Sequence, residues 1–188
     1  NMIFTWQLPS GTRSEAIDNE VASLLYKSGC RNMSYSPESG SVGVLERIKK
    51  KISLDSVIRS IDASFINHMN IKTNIIFGFP GETLKEIFES YRFIIRMAIA
   101  GAYDISIWAF SPYPGSELFN NISTTGKLKM DDAYYDSLRS YADPSKTVSY
   151  SVHISDKLLK ILRFIGTALF YVASWSRRPN RPFKIIWN

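Results

Sequence analysis

The sequence predicts an α/β fold assembled from successive strand and helix units, with the strands parallel. Three observations carry that expectation. Four short segments rich in apolar and β-branched residues alternate with longer ones whose apolar residues recur at helical spacing. Each strand segment is followed by a turn rich in Gly, Pro or Ser, so that right-handed crossovers line the turns along one rim. The clearest unit is IKTNIIFGFPGET, Ile71 to Thr83. In it Thr73, Ile75, Ile76 and Phe77 suit a strand covered on both faces, Gly78 and Pro80 end it, and Thr83 with Glu86 forms a capping box for the next helix.

Met2 to Trp6 reads as the first strand, stopped by Pro9-Ser10-Gly11. Thr12 with Glu15 forms a second capping box, opening a helix that carries Ile17, Val21, Leu24 and Leu25 on one face and closes at Gly29. Met33 to Tyr35 is the second strand and runs into the turn-forming stretch Ser36 to Ser41. Val44, Leu45 and Ile48 mark a short helix closed by Lys49-Lys50-Lys51, and Leu54, Val57, Ile58, Ile61 and Phe65 mark a longer amphipathic one after Ser53. The central strand follows, then a helix carrying Leu84, Ile87, Phe88, Tyr91, Ile95 and Ala98 that ends near Gly101. Tyr103 to Phe110 is the fourth strand, halted by Ser111-Pro112-Tyr113-Pro114-Gly115. Asp131 caps a helix through Leu138, and Ser155 caps a last one to Trp175.

At 188 residues the chain is one domain or one domain with an appendage. Its charge is uneven: residues 1–145 carry a net of −1 and residues 146–188 a net of +7. Such a tail suits a membrane surface, nucleic acid or an acidic partner. Its longest uncharged stretch, Phe164 to Trp175, has twelve residues, too few to cross a bilayer, so the tail either packs on the body or lies in an interface. The only cysteine, Cys30, excludes a disulfide framework and any multi-cysteine metal site built by this chain alone, and reads as a small buried residue. The opening NMIFTW has no basic leader or apolar run, so no signal peptide is expected, and Asn1 suggests a piece of a longer protein.

Three turns hold the candidate chemistry, within GCRNMSYSPESGSVGVLERIKK at 29–50, TNIIFGFPGET at 73–83 and FSPYPGSELF at 110–119. In this order they resemble the radical S-adenosylmethionine enzymes, in the branch with a cobalamin-binding domain that includes the anaerobic magnesium-protoporphyrin monomethyl ester cyclase. The resemblance runs over residues 1–130, and FYVASWSRRPNRP at 170–182 is similar, less specifically, to the C-terminal ends of that branch. It implies a partial TIM-like (βα)6 barrel whose last four units this chain supplies, followed by a helical, basic extension at 131–188.

The resemblance further implies an enzyme that cleaves S-adenosylmethionine to a 5′-deoxyadenosyl radical for methylation, cyclisation or oxidation of a substrate. Glu38 and Ser39 match the segment that contacts the ribose and methionine portions, Gly78, Phe79 and Pro80 the turn beside the adenosyl group, and Ala109, Phe110 and Ser111 the strand whose backbone meets adenine. Trp108 or Phe110 can supply an apolar wall. The family's CxxxCxxC cluster motif is absent, so the ligands of the 4Fe–4S cluster are expected outside this chain, which alone should be inactive. Cobalamin would sit in a preceding domain. Glu82 reads as a buttress of its turn, and His68 and His153 match no motif.

The expected partners are the upstream segment of the same protein and a second copy meeting the open barrel edge. A membrane-surface contact of the tail is also expected, no nucleic acid is, and the expected location is cytoplasmic or peripheral at a membrane. Two other readings stay open: an anion or nucleotide binder using Gly40-Ser41-Val42-Gly43 at a helix start, and a non-catalytic membrane or scaffold module.

Overall fold

A computed structural model describes residues 4–13, 16–124, 128–141 and 143–182. Its centre is a four-stranded sheet of β1 (Trp6–Thr12), β2 (Cys30–Glu38), β3 (Asn70–Phe77) and β4 (Asp104–Ala109). All neighbours are parallel and the spatial order follows the sequence, β1-β2-β3-β4. The helices are α1 (Asn19–Lys27), α2 (Val42–Arg47), α3 (Leu54–Ile66), α4 (Leu84–Ala100), α5 (Glu117–Ser123), α6 (Asp132–Ser137) and α7 (Asp156–Arg177). The described strands form an open sheet, with β1 and β4 at its edges.

Local chemistry starts most helices where the sequence says. The Ser53 side chain accepts from Ser56 N–H, Thr83 and Glu86 make both bonds of a capping box, and Asp131 and Ser155 cap α6 and α7. The first unit differs. β1 runs through Pro9-Ser10-Gly11 to Thr12, and α1 is capped by Asp18, whose carboxylate accepts from Val21 N–H at 2.9 Å. Pro9 does not end β1 because an edge strand tolerates a residue that donates nothing, and the register slips between Leu8 and Thr12 where it sits. Of the expected first strand, Phe4 and Thr5 precede β1 and are not strand, while residues 2–3, like Glu15, lie outside the described residues. β2 likewise continues past Tyr35 to Glu38, with a register shift that accommodates Pro37.

The two faces of the sheet are unlike. Met33, Tyr35, Ile71, Thr73, Ile75, Phe77, Ile105 and Ile107 point into the core, where α1, α3, α4 and α7 cover them. The alternate positions Asn32, Asn70, Lys72, Asn74, Ser106 and Trp108 make a second face that no helix core covers and that is half-buried to exposed. The expectation that β3 is covered on both faces therefore fails among the described residues: Ile76 is only half-buried.

The tail packs on the body. α7 lays Leu159, Leu162, Gly166 and Phe170 against α4 and β4, and Tyr91 Oη donates to Leu162 O at 2.7 Å. A Cβ on Gly166 would lie 2.6 Å from Ile107 Cδ1, so the missing side chain is what lets helix and strand meet. Arg163, in the middle of α7, is buried and donates through Nε to Ile107 O at 2.9 Å and through Nη1 to Thr147 Oγ1 at 2.7 Å. By length and composition α7 alone among the described helices could cross a membrane; here one side of it is part of the core.

Candidate functional site

Parallel pairing puts the three candidate turns at one end of the sheet. Glu38 is the last residue of β2, Gly78 follows the last residue of β3, and Ser111 follows β4 by two positions. The carboxyl ends of neighbouring parallel strands are where α/β folds gather ligand groups. Glu38 holds a left-handed backbone, φ 69, unusual for a residue with a side chain and a mark of local strain. Its Oε1 accepts from Lys50 Nζ at 3.2 Å, and its other oxygen takes no bond from the described residues.

Ser39 turns the opposite way. Its hydroxyl is buried, pairs with Ser90 Oγ of α4 at 3.2 Å and accepts from Ser41 N–H at 3.1 Å. Gly40 N–H donates to the same Ser90 hydroxyl, and a Cβ on Gly40 would sit 2.5 Å from Phe93 Cβ. Ser39 and Gly40 thus pin the exit of β2 to α4, which fixes where Glu38 can reach. The Gly40-Ser41-Val42-Gly43 segment opens a helix of six residues, and Ser41 spends its hydroxyl on Glu89 at 2.6 Å.

The central turn is held from inside. Glu82 is fully buried, and its Oε2 accepts from Gly78 N–H at 2.6 Å and Phe79 N–H at 3.2 Å. Burial pushes its carboxyl up to about 7, the two N–H bonds opposing that shift only in part. Gly78 has φ 88, and the group that crowds it is Leu159 of α7, 2.8 Å from where a Cβ would stand. Its bareness therefore serves both the left-handed turn and the close approach of the C-terminal helix.

Phe79 and Phe110 stack at 5.0 Å between ring centres and join Val44 and Ile122 in a small apolar cluster over the rim. α5 closes one side of that cluster and is tied to the end of α2 by Lys49 Nζ, 2.6 Å from Glu117. Beside it lies a cleft of about 430 Å³, mainly apolar, walled by Ile76, Phe79, Trp108, Ala109, Phe110 and Ser111. The structure brings four of the eight candidate residues, Phe79, Ala109, Phe110 and Ser111, into this cleft. Glu38, Ser39, Gly78 and Pro80 lie on the adjoining rim and do not line it.

A polar band that motif reading missed crosses the open face. Asn74 Nδ2 donates to Ser34 Oγ at 2.8 Å and Ser36 Oγ at 3.2 Å, and its Oδ1 accepts from Trp108 Nε1 at 3.4 Å. These bonds join β2, β3 and β4 and fix the Trp108 ring at the cleft wall. The available signal was the period-two alternation of Ser34, Ser36 and Glu38 with Met33, Tyr35 and Pro37.

No group of three or more His, Cys, Asp or Glu able to hold a metal ion occurs among the described residues. Cys30 is buried at the start of β2, its thiol pushed up by burial. These residues do not fit an iron–sulfur cluster.

No protein-family model matches the chain. It is 30% identical over 137 residues to the cytidylyl-2-hydroxyethylphosphonate methyltransferase of Streptomyces wedmorensis, a match covering 69% of this chain and 25% of that protein. It is 28% identical over 111 residues to the threonylcarbamoyladenosine tRNA methylthiotransferase of Thermotoga maritima, covering 57% of this chain and 25% of that protein. An uncharacterised methyltransferase of Pyrococcus horikoshii is 26% identical over 110 residues, 58% of this chain and 23% of its own length. The chain therefore spans about a quarter of the length of these relatives, all of which are named for the transfer of a methyl or methylthio group.

Proposed function

We propose that this chain is the C-terminal part of the catalytic domain of a radical S-adenosylmethionine enzyme in the methyl-transfer class, and that its rim holds part of S-adenosylmethionine. The observation that carries the reading is the rim itself. Three turns follow consecutive parallel strands in sequential order, with helices packed on one face of the sheet and a polar surface on the other. Sequential parallel order with the helices on one face is what a barrel wall requires. The methyl- and methylthio-transferring relatives support a methyl-donor cofactor.

The residues present fit such a ligand. The cleft offers an apolar wall for a flat ring system from Ile76, Trp108 and Phe110, with the Ser111 segment at its mouth. Glu38 has one carboxylate oxygen open to a ribose hydroxyl or an ammonium group. Ser39 serves by fixing Glu38, and Gly78, Phe79 and Pro80 form the turn that Glu82 stiffens beside the cleft. When bound in an enzyme of this class, the cofactor supplies a carbon-centred radical for hydrogen abstraction. The iron–sulfur ligands and any cobalamin domain would lie outside this chain.

The test is calorimetric titration of S-adenosylmethionine into the protein carrying the upstream units. Glu38→Ala and Phe110→Ser should each weaken binding about tenfold, the loss of one charge-assisted bond or one stacking wall. Unchanged affinity in both variants would sink the assignment.

A further inference from the structure

The outer surface of the α4–α7 pair carries an apolar stripe that neither the core nor the rim uses. On α7, Phe164 is 75% exposed, Val172 62% and Ile161 46%, and on α4, Phe88 is 56% exposed and Ile99 49%. Ile161, Val172, Phe88 and Ile99 belong to one patch, and Phe164, seven residues before Tyr171, borders it on the outward face of α7. Tyr171 and Arg163 bond toward β4, so helical periodicity turns Ile161, Ile165 and Val172 to the other flank of α7, beside α4. Leu84, Phe88, Ile95 and Ile99 are the α4 residues on the matching flank, and Tyr91, bonded to Leu162 O, lies between the two helices. Exposed apolar patches spread over two helices mark a docking surface.

Charge identifies the occupant. The exposed positions of α4 are Leu84, Lys85, Phe88, Arg92, Arg96 and Ile99, none of them acidic; Arg96 is paired with Asp55 at 2.6 Å, so Lys85 and Arg92 carry the charge on this side. At the two ends of α7 stand Lys157 and Arg177, both exposed, and residues 157–182 contain no Asp or Glu. An apolar band with cationic margins and Trp175 near one end is built to meet an anionic lipid surface. We propose that the α4–α7 face docks on an anionic membrane, with α7 lying in the plane of the interface. It does not span, because Leu159, Arg163, Gly166 and Phe170 are held in the core. Barrel units added upstream would join at the edge of β1, across the sheet from β4 where α7 packs, and so would leave this face uncovered.

Flotation of the chain with phosphatidylcholine vesicles, and with vesicles also containing phosphatidylglycerol, tests this directly. Binding should require phosphatidylglycerol and fall with salt. Lys157→Glu with Arg177→Glu should reduce it about tenfold or more, and Phe164→Ser with Val172→Ser should abolish it. All four positions are exposed, so circular dichroism and melting should be unaltered in both variants. The proposal is overturned by a failure to bind either vesicle, whether the chain is then monomeric or self-associates through the stripe. Vesicle binding that survives both double substitutions overturns it as well.

Discussion

Glu82 and Glu86 stand four residues apart, and their surroundings drive them in opposite directions. Burial raises Glu82 to about 7, whereas the Arg47 guanidinium, bonded at 2.7 Å, holds Glu86 down at about 2. Between about pH 4.5 and about pH 7 the folded chain keeps a proton on Glu82 that the unfolded chain has lost, so stability falls as pH rises through that window and levels off above it. Glu86 acts the other way: its contribution is present above its unfolded pKa and is lost as pH falls toward about 2. Glu82→Gln keeps an acceptor for Gly78 and Phe79 N–H but cannot ionise. It should melt like the parent at pH 5 and be more stable at pH 8, by on the order of 3 kcal/mol at roughly 1.4 kcal/mol for each unit of pKa. Parallel melting-versus-pH curves for the two proteins would show that Glu82 does not titrate as described. A second residue-scale prediction concerns Gly40. Its missing Cβ would meet Phe93 Cβ at 2.5 Å and Ser90 Cα at 2.7 Å, backbone-proximal atoms that cannot swing aside. Gly40→Ala should therefore cost about 1–3 kcal/mol in chemical denaturation, although alanine ordinarily favours order over glycine.

At the scale of elements, the end of α4 is finished by the tail. Arg178 donates to Ala98 O at 3.1 Å and Ile99 O at 3.0 Å, and Arg181 donates to Ala102 O at 2.6 Å and Gly101 O at 2.9 Å. Two guanidiniums thus satisfy the last carbonyls of α4 and those of the two residues just beyond it, and the cations face the negative end of its dipole. Arg178 also lies over the Phe65 ring at 4.3 Å, tying α3 into the same joint. Arg181→Ala should lower stability by about 2 kcal/mol, the cost of stripping buried carbonyls. Arg181→Lys should recover only part of that, since an ammonium cannot span both carbonyls. Capping chemistry is local, which is why the starts of α3, α4, α6 and α7 were legible from Ser53, Thr83, Asp131 and Ser155. β1 was not, because whether Pro9 ends a strand depends on which edge of the sheet it occupies. The carboxyl-end rim could be read from Gly/Pro turns after strands. The inward turn of Ser39 and the Asn74 band could not, since both are set by partners far along the chain, Ser90 at separation 51 and Ser34, Ser36 and Trp108 at 40, 38 and 34.

For the whole molecule, the consequence lies in what the sheet leaves open. β4 is sealed at its edge, where Arg163 takes Ile107 O and Tyr171 reaches the Asp104 carboxylate at 2.5 Å. β1 has no such cover: among the described residues it pairs with β2 alone, and its outer row of backbone groups is free to template another strand. Pro9 blunts part of that edge, but Gln7 and Ser10 stand exposed along it. The polar face beside it, from Asn32 to Lys72, resists burial against an apolar partner. Association should therefore run edge to edge through β1, and not through the open face. Sedimentation velocity should show the isolated chain self-associating with rising concentration. Gln7→Lys with Ser10→Lys, which charges the edge without touching the core, should return it to a monomer. Phe164→Ser with Val172→Ser, on the far side of the molecule, should leave this association intact. On the barrel reading, extending the chain upstream should suppress it without substitution, because an added strand would occupy the same backbone groups. A chain that stays monomeric at every concentration would mean that β1 is already covered, and the reading of this sheet as one wall of a larger barrel would fail with it.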